Sequence, residues 1–226
     1  MQNIKFDKKL WKLIWCESFR GKGIARILMN QALTDFKLKG QIIDLGSGSG
    51  SPSYYRFLQF QKDYQLIKTD YYETGPSIIK LDLEKKLKNL ADNSYDYVLC
   101  LNVLEHIYNY NDLIKEINRI LKVGGSVIMS TPFLTNYHPA PHDYWRFTNE
   151  AIDKLFSPNK WHKVSMINLG LGPLLASYRQ KEMIVPFFLK PFCLTLIIGL
   201  DKIFLKIKNK YLGRYPLSYL YIYKKY

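Results

Sequence analysis

Apolar residues along this chain keep two different periods, and the switches between them mark out the elements. Phe6, Leu10, Ile14, Trp15 and Phe19 recur at helical spacing with Lys8, Lys9 and Lys12 between them, which predicts an amphipathic opening helix. A second helix is expected over about residues 23–37 and a short apolar strand over 41–45. A glycine-rich loop follows, then an expected helix near 53–61. Residues 64–69 and 77–81 read as two further strands. The run YDYVLCL, Tyr95–Leu101, is almost continuously apolar, as suits a parallel strand buried on both faces. Helical periodicity returns over 112–121 and is expected to stop at Gly124-Gly125, a natural C-terminal cap. Residues 126–130 predict a fifth strand, Thr148 opens a helix with Glu150 in its first turn, and 164–168 predict another strand. Residues 217–223, LSYLYIY, alternate like a final strand.

Strands alternating with helices require parallel crossovers, so the expected fold class is α/β: a three-layer α/β/α sandwich around a mostly parallel, Rossmann-like sheet. One domain is expected over 1–226, with N-terminal helices in 1–37, the core in 38–170, an apolar and basic helical insertion in 171–213 and the last strand in 214–226. The insertion stands out. From Met183 to Leu200 the only charge is Lys190, but Pro186 and Pro191 break helix. The longest uninterrupted helix, about 192–205, would span roughly 21 Å, short of the hydrocarbon core of about 30 Å. Lys202, Lys206, Lys208, Lys210 and Arg214 follow, interleaved with Ile203, Phe204, Leu205 and Tyr211. An apolar face edged with Lys and Tyr suits an anionic membrane surface; packing on the sheet or against a second copy is the alternative.

Composition narrows the classes. With 47% hydrophobic and 23% charged residues the chain is an ordinary globular protein. A net charge of +14 favours an acidic partner such as nucleic acid, anionic lipid or a phosphorylated substrate. Cys16, Cys100 and Cys193 lie far apart, so neither a disulfide framework nor a Cys metal cage is expected. Lys8, Lys9 and Lys12 precede any apolar run, which argues against a signal peptide and for a cytoplasmic protein, with membrane association left open.

The chemistry concentrates at the strand ends. In QIIDLGSGSGSP a strand runs into Asp44 and then a loop with Gly46, Gly48 and Gly50, whose missing side chains let backbone lie against a ligand. The spacing misses the dinucleotide fingerprint, and no Lys follows to make a phosphate loop. Asp70 closes the second strand, Asp82 the third, Asn102 the fourth and Thr131-Pro132 the fifth. Ligands of open α/β sheets sit beyond these carboxyl ends. A carboxylate accepts two hydroxyl hydrogen bonds, which fits Asp70 to a ribose diol, while Asp82 suits an adenine amino group.

The D-x-G-x-G-x-G spacing resembles motif I of the class I S-adenosylmethionine-dependent methyltransferases. IDLGSGSG, YDYVLCLNVLEHI and LKVGGSVIMSTPF extend the resemblance over roughly 38–156, toward the ubiquinone- and menaquinone-biosynthesis-like members. The resemblance implies S-adenosyl-L-methionine as cofactor. It implies a binding set of Asp44, Gly46, Ser47, Gly48, Gly50, Asp70, Tyr71, Asp82, Leu83 and Asn102, with Glu105 and His106 in the LEH signature. After the fifth strand comes TPFLTNYHPAPHDYWRFT, a loop rich in chemistry. His138 or His142 is the candidate base, Arg146 a clamp for phosphate or carboxylate, and Asp143 a further catalytic candidate or simply the partner of Arg146. The H-D-Y-x-R-F-T run resembles a segment of methyltransferases tied to bacterial surface polysaccharide synthesis, which implies a small-molecule, sugar or glycolipid acceptor. A nucleic-acid methyltransferase is the main alternative, although the fourth strand lacks the N/D-P-P-Y/F motif; a binding module without catalysis is a third.

Overall fold

Parallel pairing of the apolar runs builds the middle of an eight-stranded sheet in the computed structural model, which describes residues 2–48, 50–72, 74–139 and 141–226. Ser49 of the glycine loop and Ala140 of the loop after the fifth predicted strand lie outside the described residues. In chain order the strands of this sheet are β1 (Gln2–Asn3), β2 (Gln41–Asp44), β3 (Gln65–Asp70), β4 (Ile78–Lys80), β5 (Tyr95–Leu101), β6 (Leu121–Pro132), β7 (Trp161–Gly170) and β8 (Pro216–Lys225). Across the sheet they run β1-β7-β8-β6-β5-β2-β3-β4. All neighbours pair parallel except β8, which is antiparallel to both β6 and β7. From β2 the chain winds outward to β3 and β4, then returns to place β5 on the other side of β2. The strand order therefore reverses between β2 and β5, and their carboxyl ends part there.

Helices cover both faces. On one, α3 (Tyr110–Ile120) and α4 (Asn149–Leu155) bury Leu113, Ile117, Ile120 and Ile152 against Val98, Cys100, Val127 and Met129. On the other, α1 (Lys8–Phe19), α2 (Ile24–Leu33), α5 (Pro173–Lys181) and α6 (Lys190–Ile207) pack Leu10, Ile14, Ile27, Leu28, Leu175, Leu194 and Ile198 over Ile42, Leu99, Ile128 and Leu220. Asp7 caps α1 through its side chain, accepting from the Leu10 N–H at 2.9 Å. The α/β three-layer sandwich expected from the sequence is the observed architecture.

Several local expectations are corrected. The helix expected near 53–61 is a single 3₁₀ turn, Ser53–Arg56, followed by a short pairing of Gln59–Phe60 with Lys37–Leu38. That same pairing and a turn at Thr34 end α2 at Leu33, earlier than the expected 37. Gly124-Gly125 does not cap α3: the chain leaves the helix at Ile120 and enters β6 at once. The two glycines fall at an irregular step of the β5–β6 register, where a Cβ on Gly125 would lie 2.9 Å from the Lys122 carbonyl. In the insertion, Pro191 sits in the first turn of α6, where a missing N–H costs nothing, so the helix starts at Lys190 and runs 18 residues. No described helix is long and apolar enough to cross a membrane.

Candidate active site

Two loops meet where the strand order reverses. Beyond β2 lies the glycine loop, and beyond β5 lie Asn102 and the turn Leu104–His106. Gly46 and Gly48 adopt left-handed backbone angles, φ +69° and +74°. A Cβ on Gly46 would approach Val103 Cγ2 to 2.9 Å, so the two loops touch only because that side chain is absent. Gly50 has no such constraint, and its carbonyl accepts from Lys68 Nζ at 3.2 Å. Thr69 ties the turn to β3: its Oγ1 accepts from the Gly46 N–H at 2.9 Å and donates to the Asp44 carbonyl at 3.2 Å.

Asp44 is wholly buried beneath this loop. Its Oδ2 accepts from the hydroxyls of Tyr54 and Tyr55 at 2.7 and 2.8 Å, while Oδ1 has no hydrogen-bond partner among the described residues. Burial pushes the carboxyl up to about 7 against the pull of the two tyrosines. Both tyrosines come from the single 3₁₀ turn Ser53–Arg56.

Asp70 and Asp82, at the ends of adjacent strands, line one cavity of about 730 Å³ with Gly46, Tyr71, Leu83 and Asn102. Asp70 Oδ1 accepts from the Tyr72 N–H at 2.7 Å, and its Oδ2 faces Gly48. Asp82 accepts from the Glu84 N–H at 3.0 Å and meets Lys85 Nζ at 2.9 Å. Partial burial works to raise its pKa, but the Lys85 and Glu84 hydrogen bonds prevail and hold it below the usual carboxylate range. Glu84 accepts from the Tyr108 and Asn109 N–H groups at 2.5 and 3.1 Å, which braces the turn entering α3. His106, Tyr108, His142 and Tyr144 form the far wall.

A second cavity, about 540 Å³, is lined by Lys22, Gly23, Arg26, Ser47 and Tyr54 and shares Gly46 and Asn102 with the first. Asn102 stands at this junction in a left-handed conformation, φ +56°, with its side-chain oxygen accepting from the Ser130 hydroxyl at 2.5 Å. Arg26 lies over the Tyr54 ring at 5.9 Å and makes no hydrogen bond to any described residue. Burial lowers its pKa, yet a guanidinium stays charged.

Behind Asn102 sits Glu105, fully buried, with neither carboxylate oxygen hydrogen-bonded among the described residues. The Nε2 atoms of His106 and His138 each lie 3.7 Å from Glu105 Oε1, and one ligand atom from each of the three residues falls within 4.8 Å of the others. Its negative charge also reaches Arg26 and Arg146. His138 Nδ1 is 3.0 Å from the Asn136 carbonyl, and the Glu105 carboxylate lifts the His138 pKa above the ordinary histidine value. Asp143 accepts from both Arg146 terminal nitrogens, at 2.5 and 2.7 Å, and from the His138 N–H at 2.9 Å. The Arg146 hydrogen bonds hold the Asp143 carboxyl down to about 2. This pair is engaged with itself and with the shape of the loop.

Of the residues singled out in the sequence, Gly46, Asp70, Tyr71, Asp82, Leu83, Asn102, His106 and His142 therefore line the larger cavity, and Gly46, Ser47 and Asn102 the smaller. Asp44 lies under the loop, and Gly48, Gly50, His138, Asp143 and Arg146 line neither cavity. Lys22, Arg26, Glu84 and Tyr108 went unmarked; a cation early in an N-terminal helix carries no local signal, because only the topology brings α2 to the glycine loop.

The methyltransferase-domain family matches residues 17–164. The chain belongs to that family. Its fold is that of class I enzymes, and the cofactor of such methyltransferases is S-adenosylmethionine. An uncharacterized protein of Methanocaldococcus jannaschii is 37% identical over 93 residues, 39% of this chain and 39% of that protein. A demethylmenaquinone methyltransferase of Staphylococcus aureus is 34% identical over 101 residues, 41% of this chain and 42% of the enzyme. The aligned segments thus span about two fifths of the length of these curated relatives. Among solved structures, an S-adenosylmethionine dependent methyltransferase from Mesorhizobium loti superposes with a TM-score of 0.57 at 15% identity, covering 91% of this chain and 99% of its own. That likeness is one of fold. The family match ends before α5 and α6, so the apolar insertion lies outside it.

Proposed function

We propose that this methyltransferase-family protein transfers a methyl group from S-adenosylmethionine to a hydroxyl or amine of a small molecule or sugar, free or lipid-linked, of the kind built into cell-surface polysaccharide. The carrying observation is that Asp70 and Asp82 line one cavity, which shares Gly46 and Asn102 with a second where Arg26 has no hydrogen-bond partner among the described residues. The residues fit the cofactor. Asp70 accepts the ribose hydroxyls, Asp82 and the Leu83 backbone receive the adenine edge, and Arg26 with Lys22 faces the amino-acid carboxylate. Gly46 and Asn102, shared by both cavities, flank the sulfur; Ser47, Gly48 and Gly50 shape the loop, and Asp44 holds it from beneath. Bound there, the cofactor supplies an electrophilic methyl on a sulfonium.

The chain's own part is to hold the acceptor in line, exclude water and receive a proton. We assign the last role to His138. The Asn136 carbonyl takes the Nδ1–H, which leaves Nε2, 3.7 Å from Glu105 Oε1, to accept the proton, and the buried Glu105 charge stabilises the imidazolium that results. Asp143 and Arg146 position His138 through its backbone N–H. His142 closes the adenosine side.

Methyl-labelled S-adenosylmethionine, incubated with fractionated envelope lipids, saccharides and total RNA, tests the acceptor. Label is expected in the lipid or saccharide fractions. Label in RNA alone would replace this reading with a nucleic-acid methyltransferase, the reading that the +14 net charge favours.

A further inference from the structure

Helix α6 is apolar on two opposite sides. Pro191, Leu194, Ile198 and Leu205 face the core, and so does Asp201, whose carboxylate accepts from the Leu174 and Leu175 N–H groups at 3.1 and 2.8 Å. On the outside Phe192, Leu196, Leu200, Ile203 and Ile207 form a second stripe at steps of three and four residues, between 45% and 73% exposed. The connection that leads into the helix continues the patch: Met183 is 82% exposed, Ile184 80%, and Phe187 and Phe188 more than half. A helix that is apolar all round belongs in a protein interior or against lipid, and isolated surface hydrophobes do not make so continuous a band.

Charge tells which occupant fits. Residues 183–216 carry Lys190, Lys202, Lys206, Lys208, Lys210 and Arg214, and their single acid, Asp201, is buried. An apolar band edged by cations with no exposed acid is complementary to an anionic bilayer interface, whereas a second copy of this chain would set one cationic rim against another. The band also adjoins the proposed acceptor site. Asn136, whose carbonyl holds His138, reaches the Gln180 carbonyl and Met183 Sδ at 3.5 and 3.8 Å, and Arg179 donates to Thr135 Oγ1 at 2.9 Å. Glu182, at the base of the band, accepts from the Ile24 N–H at 2.8 Å beside Gly23 of the smaller cavity.

We propose that the band from Met183 to Ile207 seats on an anionic lipid bilayer, and that the acceptor is an amphipathic molecule whose tail stays in that bilayer while its head group reaches His138. The second half rests on the proposed methyl transfer. The first does not.

The test is co-sedimentation of the full chain with vesicles of phosphatidylglycerol and phosphatidylcholine, against vesicles of phosphatidylcholine alone. Binding to the mixed vesicles is expected, with clearly weaker binding to the neutral ones and weakening by salt. Phe192→Asp, Leu196→Asp and Ile203→Asp, each on an exposed position, are each expected to weaken it about tenfold or more, since one apolar side chain transferred is worth at least that factor. S-adenosylmethionine binding by the same variants, followed by calorimetry, is expected to be unchanged and shows that they fold. Absence of vesicle binding by the native chain overturns the docking proposal, and so does a dimer that the Asp variants dissociate. RNA that competes fully with the vesicles would assign the cations to nucleic acid instead. Docking that fails while cofactor binding persists leaves the proposed methyl transfer standing.

Discussion

His138→Ala is expected to lower kcat by about 10²- to 10⁴-fold, the range that a positioned general base contributes, while the Kd for S-adenosylmethionine stays put. The split matters, because His138 lines neither cavity and so touches no part of the cofactor site. Its importance comes from being coupled to a buried carboxylate: Nε2 lies 3.7 Å from Glu105, whose oxygens have no hydrogen bond among the described residues. Only neutral imidazole accepts a proton, so kcat must rise with pH. Glu105 favours the protonated ring, which puts the midpoint above the ordinary histidine value of 6.5. Glu105→Gln removes that charge and is expected to move the midpoint down. A kcat that is flat with pH, or a His138→Ala enzyme with native kcat, removes His138 from the mechanism. Dialysis against EDTA should change nothing; loss of activity restored by a divalent cation would make Glu105, His106 and His138 a metal centre.

Asp70→Ala is expected to weaken S-adenosylmethionine binding by about 1.5 to 3 kcal/mol, the worth of hydrogen bonds to a charged group, or roughly ten- to a hundredfold in Kd. The carboxylate stands at a strand end, partly exposed, with one oxygen accepting from the Tyr72 N–H and the other facing Gly48. The variant should therefore fold. Asp82→Ala, which removes the carboxylate at the end of the adjacent strand in the same cavity, is the internal comparison. Calorimetry reads both. An unchanged affinity for Asp70→Ala would remove the ribose assignment.

The layers of the fold were legible because period and burial agree: a run such as YDYVLCL is too apolar for any place but the middle of a sheet, and β5 lies there with neighbours on both sides. The strand-end acids were legible for the same reason, since each marks where an apolar run stops. Local helix signals failed where a tertiary contact outweighed them. Tyr54 and Tyr55 donate to Asp44 from a single 3₁₀ turn where a longer helix was expected, and Gly124-Gly125 serves a strand register rather than a helix end. Arg26 was invisible because nothing near it in sequence hints that α2 ends up across the glycine loop. His138, Asp143 and Arg146 were all visible as chemistry, and the sequence left Asp143 either catalytic or the partner of Arg146; in the structure the two hold each other.

The central claim is that one S-adenosylmethionine occupies both cavities, with its sulfur beside Gly46 and Asn102, the residues that line both. A crystal structure of the protein with S-adenosylhomocysteine tests it most directly. The expected complex has ribose hydroxyls on Asp70, adenine beside Asp82 and Leu83, and the carboxylate on Arg26. A cofactor bound elsewhere, or one turned so that Asp70 and Arg26 make no contact with it, would contradict the account.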